Sequence, residues 1–299
     1  MPMQKLAFQP GINREGTRYS AEGGWFDCDK IRFRQGFPEK IGGWTKASTN
    51  TYLGTVRKLH DFVSLASLDL LFLGSEKKIY IEDSGTFSDI TPIRVTRTLG
   101  ANPITSADTT GTITVTDSSG HGAIVGDYVT FSGATATGGI TAAQINTEHV
   151  VVSIPTANTF TVLTAGTATS TVAGGGSSVV AAYQINVGLN TSVLGPGWGA
   201  GTWGRFTWGS SAGALAGNTL RLWFADTFGE DLICNIADGT IYYWDTSAGV
   251  STRAVALTSL TGASDVPTVC RKILVSEADR HVLAFGANTL GSADQDPLL

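Results

Sequence analysis

The sequence has little charge, little sulfur and no long apolar run. Asp, Glu, Lys and Arg make up 15% of the 299 residues, against an average near ~25%. Acidic side chains outnumber basic ones 25 to 20, for a formal net charge of −5 and a pI near 5.3. That balance argues against the basic footprint with which a protein grips nucleic acid through its phosphates. Cys28, Cys234 and Cys270 are an odd number, far apart, and form no C-x-x-C pair. Neither a disulfide framework nor a zinc site is indicated, and a reducing cytoplasm is the expected setting. No apolar run approaches the roughly 18 residues of a spanning helix, so no membrane insertion is expected. After Lys5 only Leu6-Ala7-Phe8 is apolar before Gln9-Pro10, too short for a secretory leader.

The motifs of catalysis are missing as well. Gly174 to Ser178 lacks the Gly-Lys-Ser/Thr ending of a phosphate-binding loop. Gly199-x-Gly201-x-x-Gly204 has the dinucleotide spacing, but Trp198, Trp203 and Arg205 crowd it, and it neither follows a parallel strand nor opens a helix. His60, His121, His149 and His281 stand at no ligand spacing and read as surface or loop histidines. No Gly-x-Ser-x-Gly elbow occurs. Asp27 and Asp29 would share one strand face, as a carboxylate pair or a cation site requires, yet Lys30, Arg32 and Arg34 are close enough to neutralise them. An enzyme is therefore not expected, and no catalytic, metal or cofactor-binding residue is assigned.

What the sequence does have is glycine, 37 copies, together with short β-branched and aromatic runs, the composition of a turn-rich all-β protein. A chain of this length exceeds the usual single domain of roughly 100–200 residues. In residues 1–50, Ile31, Phe33, Ile41 and Trp44 alternate with Lys30, Arg32, Arg34 and Lys40, a period of two that predicts a hairpin turning at Gln35-Gly36-Phe37-Pro38. From Thr51 to Arg94, Val56–Val63, Leu68–Leu73 and Ile79–Ile81 predict a meander closed by an edge strand over Phe87–Pro92.

The pattern returns later. Leu70-Leu71-Phe72-Leu73 through Ile79-Tyr80-Ile81 aligns without a gap on Leu232-Ile233-Cys234-Asn235 through Ile241-Tyr242-Tyr243, 162 residues on. A third copy begins at Val282, about 50 residues further, the spacing of one propeller blade. Residues 51–94 and 188–299 thus read as propeller-like antiparallel blades, the last one incomplete. Between them, residues 95–187 hold one basic residue, Arg97, and four acidic ones, with strands expected at Thr112–Thr116, Tyr128–Ser132, His149–Ile154 and Phe160–Leu163. Thr141 is expected to cap a single helical turn. This reads as an inserted β-barrel-like domain, with Gly174-Gly175-Gly176 as its exit linker. Beyond it, Trp198, Trp203 and Trp208 in a glycine-rich loop are candidates for a subunit interface.

Three stretches carry a family resemblance: Phe8 to Ile12 (FQPGI), Glu22 to Arg34 (EGGWFDCDKIRFR) and Pro38 to Trp44 (PEKIGGW). Together they resemble the N-terminus of the tail nozzle family of short-tailed bacteriophages, also described as packaged-DNA stabilisation or tail accessory proteins. The resemblance is most specific over these forty residues and looser over the blades. It departs at the end of the chain, which stops partway through what reads as a third blade, where family members carry several more. It implies a virion tail protein, assembled in the host cytoplasm, whose copies form a ring that continues the DNA channel. The implied partners are tail adaptor proteins, a fibre, needle or plug protein, the genomic DNA in the lumen, and the host surface. Lys30, Arg32, Arg34 and Lys40 are then assigned to contacts between subunits rather than to DNA. The alternative is a carbohydrate- or receptor-binding module of a phage tail, stacking sugars on the tryptophan loop.

Overall fold

The protein is described here from a computed structural model, for residues 9–17, 19–20, 23–43, 45–46, 48–192, 220–276, 278–289 and 295. It divides into two units, Met1–Thr49 and Asn50–Leu299. Both are all-β.

In the first unit, β1 (Ile31–Arg34) pairs antiparallel with β2 (Phe37–Lys40). Gln35 (φ 52°) and Gly36 (φ 84°) alone make the turn. Both lie in the left-handed region, as a two-residue hairpin loop requires for its twist to match that of the strands. The turn is thus shorter than the sequence suggested, because Phe37 and Pro38 belong to β2. Pro38 can do so because Arg34 and Phe37 close the loop as a hydrogen-bonded pair. The next pair, Phe33 with Pro38, is then of the non-bonded kind and loses nothing for want of an N–H. Ahead of the hairpin, Trp25 bridges to Ile12 and sets its ring edge-on to Phe33, 6.0 Å between centroids.

The second unit opens with a meander of four antiparallel strands, β3 (Val56–Val63), β4 (Asp69–Ser75), β5 (Ile79–Asp83) and β6 (Thr86–Asp89). An eight-stranded sheet follows, made of β7 (Ile93–Thr98), β8 (Ile104–Ser106), β9 (Thr112–Thr116), β10 (Tyr128–Ser132), β11 (Glu148–Thr156), β12 (Thr159–Leu163), β13 (Ala173–Gly174) and β14 (Val180–Gln184). Its order is β13-β8-β9-β12-β11-β10-β14-β7. A second four-stranded meander comprises β15 (Trp223–Phe228), β16 (Asp231–Ile236), β17 (Ile241–Trp244) and β18 (Val255–Ala256). Two more strands, β19 (Lys272–Ser276) and β20 (His281–Phe285), form the last sheet.

The meanders and the last sheet stack face to face in chain order, with β15 lying against both β3 and β19. We call the side of each sheet turned toward the next its forward face, and the other its rear face. Forward Phe72, Ile79 and Ile81 of the first sheet share a core with rear Leu232, Cys234, Tyr242 and Trp244 of the second. Forward Ile233 and Ile241 of the second share another with Ile273 of the third. Trp223 joins the first pair: its Nε1 donates to Ser75 O at 2.8 Å, and its ring lies on the bare backbone of Gly74, where an added Cβ would come within 2.8 Å of the indole.

The recurring strands occupy equivalent places. Tyr80 and Tyr242 sit on rear faces of third strands, and Ile79 and Ile241 on forward faces. The gapless alignment needs one correction. Gly74 pairs with Ile79, whereas Asn235 pairs with Ile241, so the second β-turn is one residue longer and β4 matches β16 one residue out of the sequence register.

The inserted sheet has a core of its own, including Ile113, Val129, Phe131, Val151, Phe160 and Tyr183, drawn from residues 95–183 alone. Its terminal strand β7 runs on through Leu99 to β8 near the opposite end of the ladder, so the sheet curls round that core. Thr141 caps the short helix α1 (Ala142–Ile145), and Gln144 completes the capping box. The expected glycine linker is instead part of the sheet: Gly174 pairs with Ile104, and Gly175 O accepts from Thr135 N. Chain that meets its backbone bonds inside a sheet is not a tether.

Two outcomes follow. Gly74→Ala is expected to destabilise the full chain by about 1–3 kcal/mol in urea titration, since the indole is held by its own hydrogen bond and cannot retreat freely. Residues 93–187 expressed alone are expected to give a dispersed amide NMR spectrum and a cooperative melt, because their core borrows no residue from outside; a collapsed spectrum would show the insertion to depend on the stack.

Candidate functional site

The residues expected to form a subunit interface fall into two groups. Trp198, Trp203 and Trp208 lie outside the described residues, as do Phe8, Glu22 and Trp44 of the N-terminal motifs. Lys30, Arg32, Arg34 and Lys40 are exposed on or beside the β1–β2 hairpin, but they do not form one patch. Arg32 and Arg34 share a face by the strand period, whereas Lys40 is opposite Ile31 and so lies on the face of Ile31 and Phe33. Their acidic neighbours are engaged within the chain. Arg32 Nη2 bonds Glu39 Oε1 across the strands at 3.0 Å, Lys30 Nζ stands 3.8 Å from Asp29, and Asp27 is taken by Arg14. Such exposed pairs contribute little to stability.

A different group of charges is built with more care. Lys78, in the turn between β4 and β5, is buried, and its ammonium lies 4.4 Å from the centre of the Tyr128 ring. It donates to Asp89 Oδ2 at 2.8 Å, at the end of β6, and to Glu148, the first residue of β11. Arg253, from the loop before β18, donates to Thr91 O at 2.7 Å and stands 3.4 Å from Asp89 and 3.8 Å from Glu148. Gln184 Nε2, at the end of β14, donates to the second oxygen of Glu148. Two cations and two carboxylates thus balance where the first sheet, the insertion and the second sheet meet. Burial alone would raise the Asp89 carboxyl; hydrogen bonds from Lys78 and Thr91 and the charges of Lys78 and Arg253 more than reverse this, so its pKa is lowered.

The exit of the insertion is held by a buried carboxylate. Asp127 accepts from Ile124 N (2.8 Å), Val187 N (2.7 Å) and Asn186 Nδ2 (2.9 Å), which ties residues 186–187 to the β10 side of the insertion. Burial raises its pKa, against the pull of the Ile124 and Val187 amides.

Among the described residues no group of three or more His, Cys, Asp or Glu could hold a metal ion. Two histidines expected at the surface or in loops are buried: His121 lies in the loop between β9 and β10, and His149 on β11. His121 packs on Phe160 and bonds Thr156 O and Ala123 N, while His149 bonds Ile145 O and packs on Phe131. Burial pushes the Cys234 thiol far up and that of Cys270 to about 11, so neither is a thiolate at neutral pH. Sequence reasoning missed the Lys78–Asp89–Glu148–Arg253 junction. Its one signal was Glu148, an isolated acid in a segment almost without charge.

No family model matches the sequence, and no curated protein matches it. Among solved structures the chain is similar to phage phi92 endosialidase, at 16% identity and a TM-score of 0.27, over 70% of this chain and 30% of that one. A likeness this slight transfers neither fold nor activity.

The junction yields a pH-dependent outcome. Asp89 has a lowered folded pKa, so its contribution is complete above the ordinary value of 3.8 and is lost as pH falls through the folded value. Lys78→Met, which leaves the part-buried Asp89 and the exposed Glu148 with Arg253 alone, is expected to cost about 1–3 kcal/mol at neutral pH. The gap between wild type and variant in urea titrations should narrow below about pH 4 as Asp89 takes up its proton. A gap independent of pH would mean that Lys78 acts through packing alone.

Proposed function

We propose that this chain is a structural protein of a short phage tail, with several copies forming a nozzle-like ring that continues the DNA channel and helps retain, then release, the packaged genome. The observation that carries the reading is the series of antiparallel sheets stacked face to face in chain order, following in the sequence a hairpin that resembles the nozzle family. In this reading the sheets are propeller-like blades, and the curled insertion is a barrel-like module projecting between the first and second. Stacked blades suit a channel wall because each sheet covers the broad face of the next and leaves short edges exposed.

Charge supports the same role. A chain of net charge −5 can line a lumen without holding the duplex, whereas several phosphate contacts would bind it with strong salt dependence and slow its passage. Tail adaptor proteins above the ring, and a plug, needle or fibre protein below it, are the partners this position requires.

The test is made on particles. Virions assembled without this chain are expected to package DNA, lose it on storage, and show a truncated tail by electron cryomicroscopy. Particles lacking the chain that keep a full genome, carry a complete tail and infect normally would overturn the reading.

A further inference from the structure

The ionic junction also sets two groups in contact that can react with each other. Lys78 keeps a primary amine almost out of water, its side chain 4% exposed, with Nζ 4.4 Å from the centre of the Tyr128 ring. Nζ lies 2.8 Å from Asp89 Oδ2 and also donates to Glu148 Oε1. The other Asp89 oxygen, Oδ1, accepts from the backbone N–H of Thr91 at 2.9 Å, and Arg253 Nη2 stands 3.4 Å from Oδ2. An amine, a carboxyl carbon beside it, a second carboxylate on the same amine and a backbone donor on the far oxygen are the parts of an acyl transfer.

The chain on either side holds these parts in register. Ser75 Oγ accepts from Lys78 N at 3.0 Å and donates to Lys78 O at 2.8 Å, which fixes the turn. Ile90 N donates to Ile79 O at 3.1 Å, so the residues next to Asp89 and Lys78 are bonded to each other. Groups held in contact in this way react as though at very high concentration. Burial favours the product too, because an ion pair loses its hydration on leaving water and a neutral amide carries far less of that cost.

We infer that Lys78 and Asp89 join in an intramolecular isopeptide bond, with Glu148 as the proton carrier. Nζ bonds to Asp89 Cγ, the Cγ–Oδ2 bond breaks, and Oδ2 leaves as water with two protons taken from the ammonium. Glu148 accepts each proton from Nζ and delivers it to Oδ2. The Thr91 N–H holds the negative charge that develops on Oδ1. One ammonium and one carboxylate become one amide and one water; nothing is oxidised or reduced, and no further reactant is needed. Arg253 and Glu148 remain, one charge of each sign.

Burial, which alone would raise the Asp89 pKa, is outweighed by Lys78, Thr91 and Arg253, so the carboxyl rests ionised. The neutral amine and acid arise only by proton movement inside the pair, which makes closure a slow step after folding. Once the bond has closed, Asp89 has no carboxyl left to protonate, and the pH-dependent gap between wild type and Lys78→Met belongs to unreacted chain. Glu148 comes from the insertion and the two reactants from the first sheet, so the bond closes only in chain whose insertion has docked. The link encloses β5 and β6 and restrains the meander as a disulfide would. It stands on the junction alone and is independent of the ring reading.

The test is the intact mass of the full chain, followed after purification at neutral pH. The expected result is a mass below that of the sequence by one water. Trypsin should then release residues 78–94 as one peptide, uncut after Lys78, with fragment spectra placing the link between Lys78 and Asp89. Glu148→Gln, folded as wild type by circular dichroism, is expected to close at least about a hundredfold more slowly. Lys78→Arg keeps the charge but has no amine that can lose its proton, and should hold its full mass. Folded wild type that keeps its full mass through prolonged incubation would overturn the inference, whatever the variants do. So would a water lost as a succinimide, with trypsin still cutting after Lys78, or a link from Lys78 to Glu148 instead. Closure at an unchanged rate in Glu148→Gln would overturn the role given to Glu148.

Discussion

The second meander has to be buried on both sides, and the rest of the larger unit follows from that requirement. An antiparallel sheet with one wet face alternates apolar and polar residues, whereas β16 buries Leu232, Ile233, Cys234 and Asn235 in succession. Leu232 and Cys234 need the first sheet, and Ile233 needs the last. The single polar member, Asn235, is tolerated because its amide donates to the carbonyl of Ile236 at 2.9 Å and reaches Cys270 O at 3.2 Å. Where backbone must come closest the sequence supplies Gly74, and the indole that fills the space brings its own hydrogen bond. Cys234 is a packing residue for the same reason: a small apolar side chain fits between sheets, and its thiol is kept neutral by the burial that makes it useful there.

The insertion is attached by different physics. Its apolar core is complete within itself, so little hydrophobic surface remains to fix its place on the stack. Orientation falls to Lys78, Asp89, Glu148, Arg253 and Gln184, each contributed by a different element. Buried ion pairs recover their desolvation cost only when geometry and hydrogen bonding are good, so they add little net stability, but breaking one is expensive. A junction of this kind suits a module that folds separately and must then sit in one place, since any other placement would leave a buried charge without its partner.

Most of the strands were legible in the sequence where β-branched runs ended at turn residues. Thr112–Thr116 and Tyr128–Ser132 match β9 and β10 residue for residue, and Thr141 was recognisable as a cap. The misses have physical causes. Strands β7 and β14 lie where the composition changes, and their pairing, Val180 with Thr98 through Tyr183 with Val95, spans more than eighty residues that no local pattern reports. The glycines at 174–176 looked like a tether because composition does not reveal hydrogen-bond partners. His121 and His149 looked superficial because their partners are backbone carbonyls, which carry no sequence signal. Of the site, the hairpin and its charges were legible, but the ionic junction was not: Lys78 and Glu148 are seventy residues apart, and nothing in either neighbourhood names the other.

The hairpin illustrates how far a cluster of charges in sequence can differ from one in space. Four basic residues within eleven positions suggest a cationic patch, yet the strand period divides them, sending Arg32 and Arg34 to one face and Lys40 to the other. Glu39 directly opposite Arg32, and Asp29 beside Lys30, then neutralise two of the four at short range. Phosphate binding grows with the number of cations that reach the backbone together, and one isolated cation per face gives neither the affinity nor the steep salt dependence of a nucleic-acid surface. The alternation that builds the two-stranded element therefore also disperses its charge, so that a run of basic residues in sequence becomes separate, partly neutralised cations in space.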